Sequence, residues 1–160
     1  MDELADLRAH FFDVNSPRQF FGSLCRTVEN LRKHKVKETD RLIYLILGLV
    51  HLREWIAPGY EYHKPANLPE EHFYNAIFEL DQFKLLQALC NRSKHMAEFD
   101  GVVEAEYNST VDDWPDFDAV ANMDLGPATG YFVNGNNLLD VIDAVIKFYE
   151  QNWFANQQKA

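Results

Sequence analysis

Apolar residues recur along most of this chain with the spacing of helices. Asn15-Ser16-Pro17 reads as a helix start: Ser16 can accept from a free N-terminal amide, and Pro17 suits the first helical position because it has no amide hydrogen to leave unpaired. Phe20, Phe21, Leu24, Val28 and Leu31 follow at helical period, which predicts a helix to about Lys33. A shorter helix is expected before it, from Glu3 to Phe12. Thr39 reads as the cap of a second long helix, roughly Asp40 to Ile56, stopped by Pro58-Gly59. That helix is apolar nearly all round, the mark of the central helix of a bundle. Pro69 opens another through Glu70, Glu71 and His72. A further helix starts after Leu80-Asp81, carries Phe83, Leu86, Leu89 and Cys90, and fades near Asp100-Gly101.

Beyond that point the period changes. Val102 to Tyr107 and Ala128 to Val133 have strand character, and between them lies an acidic loop with Asp112, Asp113, Asp116 and Asp118. Two short antiparallel strands joined by a long loop fit this pattern. Asn134-Gly135-Asn136 turns the chain into a last helix, with Asn136 or Asn137 as its cap. Leu138, Val141, Ile142, Val145 and Tyr149 give that helix an apolar face that must pack on the others. The fold class expected is therefore mainly α: a helical bundle with a small antiparallel β-hairpin before the C-terminal helix. One domain covers 1–160, with the bundle at about 16–100, the acidic hairpin and loop at about 101–135 and the last helix at about 136–154. Helix should make up roughly 60% of the chain, well above the usual third.

Composition adds limits. With 47% hydrophobic and 14% aromatic residues, the chain is not a disordered acidic tail. Its longest apolar run, Ile43 to Leu52, is shorter than the roughly 20 residues of a membrane span, so no membrane partner is expected. The N-terminal stretch MDELADLRAH is acidic and mixed, unlike a signal peptide, and a cytoplasmic location is expected. Cys25 and Cys90 are too few for a disulfide framework and read as buried free thiols.

Charge is uneven. Met1 to Lys94 holds 13 basic and 13 acidic residues, whereas His95 to Ala160 holds 2 basic and 12 acidic ones, the whole of the −10 net charge. The C-terminal part should repel nucleic acid phosphates. It is either a solvated surface or a face for a basic protein partner. Arg32, Lys33, Lys35, Lys37 and Arg41 form the one positive cluster.

The candidate chemistry lies in two stretches. LCNRSKHM places Asn91 and His95 four residues apart on one helix face, with Arg92 and Lys94 between them. HLREW places His51 and Trp55 at the same spacing. If the two helices are antiparallel neighbours, the sets could meet at one end of the bundle. His95 could then serve as acid or base while Asn91 holds a phosphate or a water. Equally, Asn91 and His95 could bond each other or backbone groups at a helix end. A metal site would need more than His51 with Glu54, or His63, Glu70, Glu71 and His72 in polar links, since no Glu-x-x-His pair occurs. No metal is expected. The aspartates of the acidic loop lack the glycine of a calcium loop. No cofactor is expected either, as there is no P-loop, G-x-G-x-x-G, G-x-S-x-G or paired C-x-x-C.

HLREW followed by CNRSKH resembles a set of uncharacterised bacterial helical proteins with an H-L-x-x-W stretch, an N-x-x-K-H stretch, a short hairpin and a final helix. The tail YFVNGNNLLDVIDAVIKFYEQNWF fits the end of that pattern, so the resemblance covers most of residues 40 to 154. More distantly the layout is similar to HEPN domains. These are helical bundles, often dimeric, many of which are ribonucleases in defence and toxin–antitoxin systems. A common form of their signature is R-N-x-x-x-H. Asn91 and His95 match its asparagine and histidine, but Cys90 stands at the arginine position, and Arg92 is too close to His95. The missing guanidinium removes the phosphate clamp. The resemblance thus implies a non-catalytic HEPN-like protein of bacterial or phage origin, acting through protein contacts in defence or its regulation. The alternative is a weak metal-independent ribonuclease using His95, with Arg92 or the basic cluster holding RNA. The resemblance also implies a homodimer. Phe20, Phe21, Leu24, Phe148, Tyr149, Trp153 and Phe154 would then lie at an interface, unless the hairpin and loop cover them.

Overall fold

The computed structural model describes residues 14–33, 38–95, 105–108 and 130–157, with the backbone alone at 92–95 and 105–108. The expected helix from Glu3 to Phe12, the basic link 34–37, the chain after His95 to 104 and the acidic loop 109–129 lie outside the described residues. What is described is mainly helical. Helix α1 runs Pro17–Lys33, α2 Thr39–Ile56, α3 Pro69–Phe78 and α4 Asp81–His95. Strands β1 (Ala105–Asn108), β2 (Gly130–Val133) and β3 (Asn136–Asn137) lead into α5, Leu138–Tyr149. A π turn at Glu150–Phe154 extends α5 into a last turn, Ala155–Gln157.

The local signals act as chemistry requires. Gln19 N–H donates to Ser16 Oγ at 3.1 Å, so Ser16 caps α1. Pro69 opens α3, and the Glu71 carboxylate accepts from the amides of Asn67 and Leu68 at 2.7 and 3.1 Å. Those two bonds to the charged form hold the Glu71 carboxyl below its usual range. Asn137 Oδ1 accepts from Leu139 N–H at 3.1 Å and caps α5. The start of α2 corrects the expectation. Thr39 is its first helical residue, and Glu38 stands at the cap without a side-chain capping bond. Glu38 N–H donates instead to the Tyr131 hydroxyl on β2, so a strand distant in sequence satisfies the end of the helix.

The three strands form one antiparallel sheet in the order β1-β2-β3, with Tyr107 opposite Tyr131 and Phe132 opposite Asn137. Alternation turns Tyr131 and Val133 into the core. The β2–β3 link needs positive φ at two successive residues, and Asn134 (φ 50°) and Gly135 (φ 77°) supply it.

Helix α2 is the hub: α1, α3, α4 and α5 all pack against it. Its Leu45, Leu49 and Leu52 are fully buried, together with Leu24 of α1, Ile77 of α3, Phe83 and Leu86 of α4, and Ile142 and Val145 of α5. Its large apolar side chains escape only near its start, where Ile43 and Tyr44 are exposed. Gly48 lets α1 approach closely: a methyl there would lie 2.4 Å from Leu24 Cδ2. Among the described residues no helix is long and apolar enough to cross a membrane. The apolar side chains expected at an interface divide. Phe21, Leu24, Tyr149 and Phe154 are buried in the core, while Phe20, Phe148 and Trp153 remain half-buried.

Candidate functional site

The stretch His51-Leu52-Arg53-Glu54-Trp55 forms the last turns of α2, and each side chain leaves the axis about 100° from the one before. They therefore meet different neighbours. Leu52 enters the core. Trp55 crosses to α1 and packs on Phe20, ring centres 4.7 Å apart. His51 turns to α4, where its Nε2 lies 3.9 Å from Cys90 Sγ, and its Nδ1 lies 3.1 Å from Glu54 Oε2. Arg53 turns the other way and is buried. Its guanidinium carbon sits 4.0 Å from the Tyr74 ring centre, 4.9 Å from Phe83 and 5.6 Å from Phe78.

These contacts fix the direction of α4. His51 meets Cys90 and Arg53 meets Phe83, so the numbers fall along α4 as they rise along α2, and the helices are antiparallel. Asn91, half-buried, follows Cys90 at this seam. The backbone of α4 then continues to His95 toward the start of α2, away from Trp55. Of the two expected sets, the structure brings His51 to the Cys90–Asn91 turn and takes Trp55 to α1. The side chains of Arg92, Lys94 and His95 lie outside the described residues.

Glu54, His51 and Cys90 stand in the order of a nucleophile relay, a carboxylate orienting an imidazole that faces a thiol. The seam lacks two other parts of such a site. Cys90 is only 1% exposed, so no substrate carbonyl reaches its sulfur. It also lies inside α4, where backbone amides are committed to the helix and cannot form an oxyanion hole. At 3.9 Å the thiol contact is long, so the arrangement fixes the ring and the thiol without activating an attack.

Arg53 is the residue that the sequence reasoning passed over. Its Nε and Nη1 are buried with no hydrogen-bond partner, so the faces of Tyr74, Phe83 and Phe78 stand in for a carboxylate. A signal for its burial was present. Leu49 lies four residues before it and Ile56 three after it, on one helix face, and both are buried. One turn earlier, the buried Tyr149 hydroxyl donates to Leu49 O at 2.6 Å, and burial pushes its pKa well above the usual tyrosine range.

Among the described residues no three His, Cys, Asp or Glu side chains gather as metal ligands would. Glu71 is spent on the α3 cap, and the His63 ring lies against Tyr62. Two arginines of the positive cluster face acids: Arg32 pairs with Asp143 and donates to Leu139 O, and Arg41 lies 3.2 Å from Glu38. The Cys25 thiol, half-buried on α1, is pushed up to about 11, first by burial and then by Glu150 and Glu29.

Compared with known protein families, curated proteins and solved structures, the chain matches none.

Proposed function

We propose that this chain is a HEPN-like helical protein without catalytic activity, of bacterial or phage origin, acting in the cytoplasm through protein contacts in defence or toxin–antitoxin regulation. The observation that carries the reading is Cys90. At the position of the signature arginine stands a thiol sealed against His51. The guanidinium nearest in sequence to that histidine, Arg53, is walled in by three aromatic rings. A ribonuclease needs a cation open to phosphate. With Arg32 held by Asp143 and Arg41 beside Glu38, the basic cluster is partly neutralised as an RNA platform.

A weak metal-independent ribonuclease is the competing reading, because Asn91 and His95 keep their spacing on α4. Mixed RNA incubated with the purified protein and with His95→Ala separates the two. The expected result is no cleavage by either, together with recovery of a specific protein partner in a pull-down. Cleavage that disappears in His95→Ala would overturn the proposal. A homodimer belongs to the same reading, with exposed Ile43 and Tyr44 on the neutral helical half as the contact. Sedimentation should then show a species twice 18.6 kDa, and a single concentration-independent species at 18.6 kDa would exclude it.

A further inference from the structure

Between α3 and the end of α5 lies an open groove of about 660 Å³. Its floor is aromatic. The Phe73 ring centre lies 5.9 Å from that of Phe148 and 5.5 Å from that of Trp153. Its rim is polar and carries Glu70, Asn152 and Asn156. The π turn builds this wall. By winding more residues into one turn, it seats Phe154 against Phe21, ring centres 4.5 Å apart, while Trp153 goes to the groove. Arg18 Nη2 donates to Phe154 O at 2.9 Å and ties the turn to α1. Such turns are rare and recur at functional sites.

One of the groove's polar groups is engaged within its own helix and several others are not. Asn152 Nδ2 donates to Phe148 O at 3.0 Å. Asn152 Oδ1, the Asn156 amide and the Trp153 indole N–H have no hydrogen-bond partner among the described residues. The Glu70 carboxylate is likewise unpaired there, whereas its neighbour Glu71 is committed to the helix cap. No Lys or Arg lines the groove, in a chain of net charge −10.

We propose that this groove docks an extended, lysine- or arginine-rich segment of a partner protein. The assignment rests on the reading of the chain as a protein-contact module and names its partner's chemistry. Aromatic faces take the methylene stems and the cationic heads of such side chains, and Glu70 offers the countercharge. The indole N–H and the two amides supply donors and acceptors for an extended backbone, which carries both in alternation. A docked helix would satisfy its own backbone and leave those groups unpaired. A nucleic acid would bring phosphate to Glu70 with the His72 imidazole, but no Lys or Arg, in the groove to receive it. The −10 charge speeds the encounter with a basic segment.

The test is fluorescence anisotropy at 0.15 M salt with a fluorescein-labelled ten-residue peptide of alternating Lys and Ala, and with its fully lysine-acetylated form. The lysine peptide should bind and the acetylated one should not. Trp153→Ala should weaken binding about tenfold, as loss of an aromatic anchor does. Glu70→Gln and Asn156→Ala should each weaken it about threefold, in line with exposed polar contacts. Asp140→Asn, far from the groove at the start of α5, should leave it unchanged. Equal weakening by Asp140→Asn and Glu70→Gln would reduce the effect to diffuse acidic attraction and overturn the proposal. So would equal binding of the acetylated peptide, or no binding at all. A dimer abolished by Trp153→Ala would give the groove to a second copy instead. Should Trp153→Ala fail to fold by circular dichroism, Glu70→Gln and Asn156→Ala still decide. A protein partner recovered equally by wild type and Asn156→Ala would remove the groove assignment and leave the protein-contact reading standing, whereas His95-dependent RNA cleavage would remove that reading itself.

Discussion

The α2–α4 seam and the α3–α5 groove are made of similar parts. Each sets a cation, amide or imidazole against aromatic rings. In the seam the rings close over the polar groups: Arg53 is 5% exposed and Cys90 1%. In the groove the rings lie beneath them, and Asn152 and Asn156 face water. Enclosure makes a polar group matter to folding, because its partners cannot be replaced by solvent. Openness makes it matter to binding, because a ligand can take the place of water. The comparison teaches that the histidine-bearing motif, which looks more like chemistry, sits in the more structural of the two regions.

That contrast can be broken most forcefully at Arg53. Arg53→Ala removes a side chain packed against three rings and should cost about 2–4 kcal/mol in urea unfolding, the range of buried large-to-small changes. Arg53→Met fills similar space without an unpaired buried charge and should fall within about 1 kcal/mol of wild type. If Arg53→Met loses as much as Arg53→Ala, the cation–ring contacts are worth more than packing, and the seam is electrostatic in origin.

Tyr149→Phe comes next. It leaves Leu49 O without its buried donor, and a loss of about 1–2 kcal/mol is expected. A neutral result would mean that the surrounding helix turn satisfies that carbonyl alone.

The two cysteines sharpen the contrast kinetically. Cys25 is half-exposed, yet its thiol is pushed up to about 11, so at pH 8 its alkylation should be on the order of 10- to 100-fold slower than that of a free cysteine. Cys90 should react only on unfolding, as its sulfur is sealed. The Cys25 shift also sets a direction with pH. Between about 9 and 11 the unfolded thiol has released its proton and the folded one has not. The folded state thus binds more protons there, and stability falls as pH rises through that window. Rapid labelling of Cys90 in the native protein would show that the seam opens.

The smallest effect is expected at the groove rim. Asn156→Ala should change stability by less than about 0.5 kcal/mol, because the residue is exposed and bonds nothing among the described residues. A larger loss would place Asn156 on the structural side of the comparison.

Much of the architecture was legible because it is encoded within a few residues. Ser16-Pro17, Pro69 with Glu71, and Asn137 mark helix starts through side-chain oxygens and a missing amide, and all three act as their chemistry requires. Asn134-Gly135 marks a turn because its backbone must take positive φ. The period of Leu138, Val141, Ile142 and Val145 sets the buried face of α5. Thr39 misled for a physical reason: the end of α2 is satisfied by the hydroxyl of Tyr131, a partner 93 residues from Glu38, and no local pattern carries that bond.

The sequence by itself determined which segments are helical, where they begin, and that His51 and Asn91 lie late on their helices. Only the tertiary structure decided which neighbour each side chain meets. Successive helical residues diverge by about 100°, so HLREW delivers His51 to Cys90, Arg53 to three rings and Trp55 to Phe20 once α1, α3 and α4 have taken their places around α2. The π turn that seats Phe154 on Phe21 and sends Trp153 to the groove likewise depends on helices distant in sequence, because the energy that selects it lies in their packing and not in the five residues that adopt it.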